Sequence, residues 1–336
     1  MISATFPQTF WFTGLSLIFL VFFLLDGFDM GIGMALPFFS KSDSDRKILL
    51  DVVWPFWDGN ELWAIIGGAC LFAAFPHAFV ALIGGLAPFV ALLLSCLMFR
   101  TISFEAWYKD SSRRRFWEYV QAAGSFFLSF GLGFLVGNLI AGLPISDTGN
   151  FAGTPASALQ PYALAAGLLS SSGAVVLGAT YLRKKTEGAV RDKATLIARG
   201  GFPVVAFLGA LTLIWTAFIV PEVRTNPLFR IGAVCAAAAG IGLYVSLGRA
   251  GDRLPFYLSG AAVVSVWVAG SSALFPYLVR PSSGGPGLSL SKAASPESSL
   301  AFLAGFAVIA LAIVAGYTVF AYRVFKGKAD RHSEAH

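Results

Sequence analysis

Four carboxylates lie in otherwise apolar sequence near the start of the chain, in two pairs of equal spacing. Asp26 and Asp29 fall within the run Leu25-Asp-Gly-Phe-Asp-Met-Gly-Ile-Gly-Met34. Asp58 and Glu61 fall within Trp54-Pro-Phe-Trp-Asp-Gly-Asn-Glu-Leu-Trp63. Each pair is at i, i+3, which puts both acids on one face of a helix. A carboxylate in hydrocarbon is costly, so such residues turn toward a bundle interior or a wet cavity and mark proton or ion pathways. Two chemistries are open. The acids can bind and release protons, with Asn60, Ser95 and ordered water as links and Glu105 as a mouth. Alternatively they anchor the fold, capping helix N-termini, as Asp58 after Pro55 is placed to do, or pairing with Arg100.

The elements that must position them are membrane spans. The chain has 336 residues, 57% hydrophobic and only 12% charged, against about 25% charged in soluble domains. An all-α polytopic membrane protein is the expected class. Nine segments of about 20 residues or more are expected at 10–38, 57–76, 78–99, 118–143, 160–182, 200–221, 228–247, 255–279 and 299–322, with a short interfacial helix over 42–56. Of the 24 lysines and arginines, only Arg224, Arg230, Arg280 and Lys292 fall on the outer side if the N-terminus is outside. The rest, Lys41 and Arg331 included, collect in the opposite loops and the tail. The net charge of +6 is therefore a positive-inside signal, with the C-terminus cytoplasmic, and does not point to nucleic acid. No basic stretch precedes the first apolar run, which reads as a retained span.

Several chemistries are disfavoured. The three histidines are His77, in a turn after Pro76, and His332 and His336 in the tail, so no span offers an axial imidazole for haem. Met30 and Met34 read as core packing. Cys70, Cys96 and Cys235 lie in apolar runs and read as small hydrophobes. Trp57 and Trp63 read as packing or interface anchors.

The stretch from Asp26 to Pro76 resembles the second subunit of cytochrome bd-type quinol oxidases. The matching pieces are Asp-Gly-Phe-Asp-Met-Gly-Ile-Gly at 26–33, Trp-Asp-Gly-Asn-Glu at 57–61 and Gly-Gly-Ala-Cys-Leu-Phe-Ala-Ala-Phe-Pro at 67–76. Met-Phe-Arg-Thr-Ile-Ser-Phe-Glu at 98–105 and Gly-Asn-Leu-Ile-Ala-Gly-Leu-Pro at 137–144 extend it. The specific likeness covers roughly the first 145 residues; beyond that it is mainly one of hydropathy. The chain is short for the family, as in the branch often called cyanide-insensitive.

The resemblance implies two four-helix bundles, 1–145 and 160–279, joined by an outer loop at 146–159. A flexible outer loop at 280–298 and a peripheral helix with a cytoplasmic tail at 299–336 follow. It implies a haem-free subunit of a bacterial inner-membrane oxidase that oxidises quinol and reduces oxygen to water. The chain would stabilise a haem-bearing subunit I, which holds haem b and haem d-type groups or haem b only, and supply a proton path through Asp58, Glu61, Asp29, Asp26, Glu105 and Arg100. Its partners are that subunit, quinol and lipid, with a small accessory subunit as a further candidate. Any quinone held in this chain would be structural. The competing class is a proton-coupled secondary transporter, with glycines 27, 31 and 33 marking a broken helix; a purely structural scaffold is the third.

Overall fold

The structure, a computed structural model, describes residues 4–39, 42–249, 251–283 and 285–328. Lys41, Arg331, His332 and His336 lie outside the described residues. The first apolar run forms one 34-residue helix, α1 (Phe6–Phe39). The polar stretch after it forms the short α2 (Asp43–Val53), where an interfacial helix is expected. Then come α3 (Trp57–Ala74), α4 (Pro76–Gly85), α5 (Ala87–Lys109) and α6 (Arg114–Ala141). A second set follows: α7 (Pro161–Lys185), α8 (Gly188–Ile219), α9 (Pro227–Leu247) and α10 (Leu254–Leu274). A two-stranded antiparallel hairpin, β1 (Tyr277–Val279) with β2 (Leu288–Ser289), precedes α11 (Leu290–Ala293) and α12 (Glu297–Val324). Among the described residues eight helices are long and apolar enough to cross a membrane, and the bent pair α3–α4 brings the number to nine.

Three expectations need correction. The span expected at 78–99 is not one helix. The chain bends by 117° between α3 and α4, and the spanning helix that follows is α5. Pro76 begins α4 and withholds an N–H from any continuation of α3, while the uniformly apolar residues around it carry no sign of the change of direction. Arg100 and Glu105 consequently lie inside α5 rather than at its edge or in a loop. Second, the Ser-, Gly- and Pro-rich segment 280–298 packs as a cap. Leu288, Leu290 and Ala293 are buried, Arg280 N–H donates to Leu139 O, and Ser295 N–H donates to Ala74 O. Third, α1 is unbroken through its glycines, because they serve close packing. A Cβ on Gly31 would lie 1.9 Å from Ala174 O, and one on Gly178 would lie 2.7 Å from Phe28 O. The backbones of α1 and α7 therefore touch, as small residues in spans permit.

Helix α1 lies at the centre, against α3, α6 and α7, and α9 pairs with α10. Cationic ends gather at one end of the bundle. Arg114 of α6 pairs with Asp43 of α2, Lys193 of α8 with Asp45, and Arg191 and Lys328 both with Asp252. Arg183, buried in the last turn of α7, donates to the carbonyls of Leu247 and Arg249 and so satisfies the end of α9. The opposite end keeps Arg280 paired with Glu222, and Arg230 Nε donates to Arg224 O. Helix α12 is the least buried span. It is tied to the rest by Trp11 Nε1–H donating to Leu300 O and by Trp63 Nε1–H donating to Thr318.

Replacing Gly31 with Ala is expected to destabilise the protein by about 1–3 kcal/mol, the usual cost of overpacking, and to lower the thermal midpoint of the purified protein. An unchanged midpoint would mean that α1 and α7 separate without cost.

Candidate functional site

Helix α1 is turned so that Asp26 and Asp29 face the bundle interior, where both are fully buried. Arg100, at the middle of α5 and also fully buried, reaches Asp26 with two hydrogen bonds. Nη1 donates to Oδ2 at 2.7 Å and Nη2 to Oδ1 at 2.8 Å. This fork-to-fork geometry is the strongest form of carboxylate–guanidinium pair. Arg100 Nη1 also stands 3.5 Å from Glu61 Oε1 on α3, and Thr101 Oγ1 donates to Glu61 Oε2 at 3.4 Å. Asp29 is held differently: Asn60 Nδ2 donates to its Oδ2 at 2.7 Å and to Leu25 O at 3.2 Å. Tyr322 of α12 donates to Asn60 Oδ1 at 3.2 Å. Three helices thus bring three carboxylates around one guanidinium, and a fourth helix closes the Asn60 side.

The cluster is incompletely satisfied. Asp29 Oδ1, Glu61 Oε1 and Arg100 Nε have no hydrogen-bond partner in the protein. The hydroxyl of Tyr181, whose ring stacks on Phe28 at 4.0 Å, has none either. Buried polar atoms without partners are rare and commonly mark ordered water or a functional site. One carboxylate is locked by a guanidinium, and the other two each keep an oxygen that accepts no hydrogen bond, where proton exchange through water is chemically open.

Four of the six residues singled out from the sequence come together: Asp26, Asp29, Glu61 and Arg100. Asp58 does not join them. It is exposed in the first turn of α3 and makes no capping hydrogen bond, so the expected N-cap is absent. Its place still suits an acid, because the N-terminal end of the helix dipole favours negative charge. Glu105 pairs with Lys109 at 2.6 Å on an exposed face of α5. Ser95 is exposed and donates to Ala91 O, away from the cluster. Trp57 stacks on Phe104 and Trp63 is buried, as packing residues. His77, the one histidine among the described residues, is exposed on α4. No group of three or more His, Cys, Asp or Glu among the described residues is placed to hold a metal ion. Sequence reasoning missed Thr101, Tyr181 and Tyr322. Thr101 had a signal, being adjacent to Arg100; the two tyrosines come from distant helices.

The fold and this buried ionisable cluster define a multi-pass membrane protein built around a charge site within its spans. The family model for cytochrome bd terminal oxidase subunit II matches residues 7–325, and the chain belongs to that family. The match runs well beyond the first 145 residues that carry the specific motifs. The chain is 28% identical to the probable cytochrome oxidase subunit 2 of Haemophilus influenzae, covering 98% of this chain and 97% of that protein. It is 27% identical to the cytochrome bd-I ubiquinol oxidase subunit 2 of Escherichia coli K12 (97% of each). It is 29% identical to the cytochrome bd ubiquinol oxidase subunit 2 of Bacillus subtilis (96% and 97%). A chain in the structure of bd oxidase from Geobacillus thermodenitrificans shares the fold with a TM-score of 0.79 at 14% identity, over 96% of this chain and 99% of that one. Proteins of this family are bacterial inner-membrane proteins.

Replacing Arg100 with Met leaves Asp26 as an uncompensated buried charge, and breaking such a pair costs about 3–5 kcal/mol. The variant is expected to lose most of its folded yield. The double variant Arg100→Met with Asp26→Leu is expected to recover much of that loss in thermal unfolding. A double variant no better than the single one would show that the pair does not act as a unit.

Proposed function

We propose that this chain is the haem-free second subunit of a quinol:oxygen oxidoreductase, packed against a haem-bearing subunit and delivering protons to it from the basic end of the bundle. The observation that carries the reading is the cluster of Asp26, Asp29 and Glu61 around Arg100, with carboxylate oxygens on Asp29 and Glu61 that accept no hydrogen bond. Reducing one oxygen to two waters consumes four protons and four electrons, and two quinols supply the electrons. If the quinol protons leave on the outer side and the consumed protons come from the inner side, the reaction itself charges the membrane. The haem groups that perform it, b and d-type or b only, belong to the partner in this reading.

The acids divide the work by geometry. Asp26 is an anchor, because both its oxygens are taken by Arg100. Glu61 and Asp29 are the carriers. Asp58, exposed in the first turn of α3 one helical turn toward the basic end from Glu61, is where protons enter. Glu105 stands apart on the surface, so it serves at most as an outer acid near the mouth. The inner placement of the basic end is supported by the gathering of cationic loops there. An open apolar groove of about 690 Å³, lined by Met34, Phe126, Leu168, Val204 and Phe207, has the chemistry of an acyl chain or a structural quinone's isoprenoid tail.

Two measurements test this. The complex purified through a tag on this chain is expected to show haem bands in its reduced-minus-oxidised spectrum; a haem-free preparation would contradict the partnership. In that complex Glu61→Gln is expected to lower quinol-oxidase turnover per haem about ten-fold or more, toward the usual range for a lost proton-transfer group. Normal turnover at normal haem content would reduce the cluster to a structural one.

A further inference from the structure

Helix α12 is the least covered span, yet its inner end is held at several points and carries one end of a hydrogen-bond chain that reaches Asp29. Its approach to α3 is close: a Cβ on Gly59 would lie 2.9 Å from Tyr317 Cε1. Thr318 accepts from Trp63 Nε1 at 3.3 Å. Tyr322, one turn further on the same face, stacks on Phe56 with ring centroids 4.3 Å apart. Just past the helix, Lys185 of α7 donates to Phe325 O at 2.5 Å and to Gly327 O at 2.9 Å. A cation there suits the negative end of the helix dipole and satisfies carbonyls that have no helical partner. The end of α12 that carries Tyr322 is thereby pinned to α7.

The orientation of the buried Asn60 amide follows from its neighbours. Leu25 O can only accept, and it takes one hydrogen of Nδ2 at 3.2 Å. Asp29 Oδ2, one turn along α1, takes the other at 2.7 Å. Asn60 Oδ1 then needs a donor, and the Tyr322 hydroxyl supplies it at 3.2 Å. That is the one hydrogen bond this hydroxyl makes among the described residues. With Nδ2 facing it, Asp29 Oδ2 serves as an acceptor. Asp29 Oδ1, buried and accepting no hydrogen bond, is left as the oxygen at which a proton binds. Turning the amide over would lose the bond to Leu25 O and set Asn60 Oδ1 against Asp29 Oδ2. Two acceptors meet without repulsion only if Oδ2 itself carries the proton. A donor held on the Oδ1 side of Asn60 therefore decides which oxygen of Asp29 exchanges it.

We propose that Tyr322 is a positioning residue for Asp29: its hydroxyl fixes the Asn60 amide with Nδ2 toward the carboxylate and so directs proton exchange to Asp29 Oδ1, while Lys185 holds the end of α12 that carries the tyrosine. The proposal rests on the proton-carrying reading of the acid cluster and deepens it for one carrier. It makes α12 a part of the proton site, although its outer face is bare. Tyr322 acts through Asn60 and exchanges no proton itself.

The test uses the whole oxidase complex, assayed for quinol oxidation per haem in H2O and in D2O. Tyr322→Phe keeps the ring on Phe56 and removes only the hydroxyl. It is expected to slow turnover about five-fold, the effect of one net hydrogen bond, and to raise the H2O/D2O rate ratio above that of the wild type. Asn60→Ala is expected to be at least as slow. The double variant is expected to be no slower than Asn60→Ala alone, because the tyrosine acts through the amide. Lys185→Met leaves the hydroxyl in place and is expected to shift both readouts in the same direction, which keeps the test open where Tyr322→Phe does not assemble. Wild-type turnover in Tyr322→Phe, with Asp29→Asn impaired, would overturn the proposal and leave the acid cluster's role intact. Slowed turnover at an unchanged isotope ratio, or losses that add in the double variant, would overturn it as well. Wild-type values in Lys185→Met would overturn the part assigned to Lys185. An unimpaired Asp29→Asn would instead remove the reading on which the proposal rests.

Discussion

The pairing of Arg100 with Asp26, two parallel hydrogen bonds in a site closed to solvent, is the constraint from which the arrangement of the first helices follows. Neither charge is tolerable alone in hydrocarbon. α5 must therefore present Arg100 at the depth of Asp26, and α3 must bring Glu61 and Asn60 to the same level. The pair leaves little freedom for α1 to slide or rotate. It also draws Glu61 to within 3.5 Å of the guanidinium, because a guanidinium has five donors and one carboxylate satisfies only two of them.

Around that constraint the packing is closest where α1 meets α7, through Gly31 and Gly178. The apolar cluster formed by Phe28, Ile32, Leu36, Leu49, Val53, Phe104 and Tyr181 seals the basic end. The opposite end is closed by the hairpin and α11, whose buried leucines join the core of Trp11, Phe75, Leu143 and Ile145. Helix α12 behaves as a strap. Its outer face is bare, yet its tyrosine at 322 completes the hydrogen-bond chain to Asn60 and Asp29. A partner or lipid can cover α12 without disturbing that chain.

Much of this was legible in the sequence. The i, i+3 acid pairs marked both helices of the site, and Arg100 was identified as a partner for the acids. Uninterrupted apolar runs gave α1, α6, α7, α9 and α10 nearly their observed bounds. The bend at Pro76 was not legible, since a run that is apolar on all sides gives no periodicity to show where its direction changes. Ser, Gly and Pro in 280–298 masked the few apolar residues that pack it. Asp58 and Glu61 share a helical face, but Asp58 stands in the first turn, where the covering helices end, so equal spacing did not mean equal burial. Tyr322 lies 262 positions from Asn60, a separation at which no local pattern can announce a contact.

The central claim is that protons consumed at the partner's haems pass through the carboxylates of this chain. Time-resolved proton uptake during a single reaction of the reduced complex with oxygen measures this directly, comparing the wild type with Asp29→Asn. That change keeps the shape and an acceptor for Asn60 but removes the titratable group. Uptake slowed together with the final haem oxidation, at unchanged haem content, is the result predicted. Uptake at the wild-type rate would contradict the account and leave the cluster as an anchor alone.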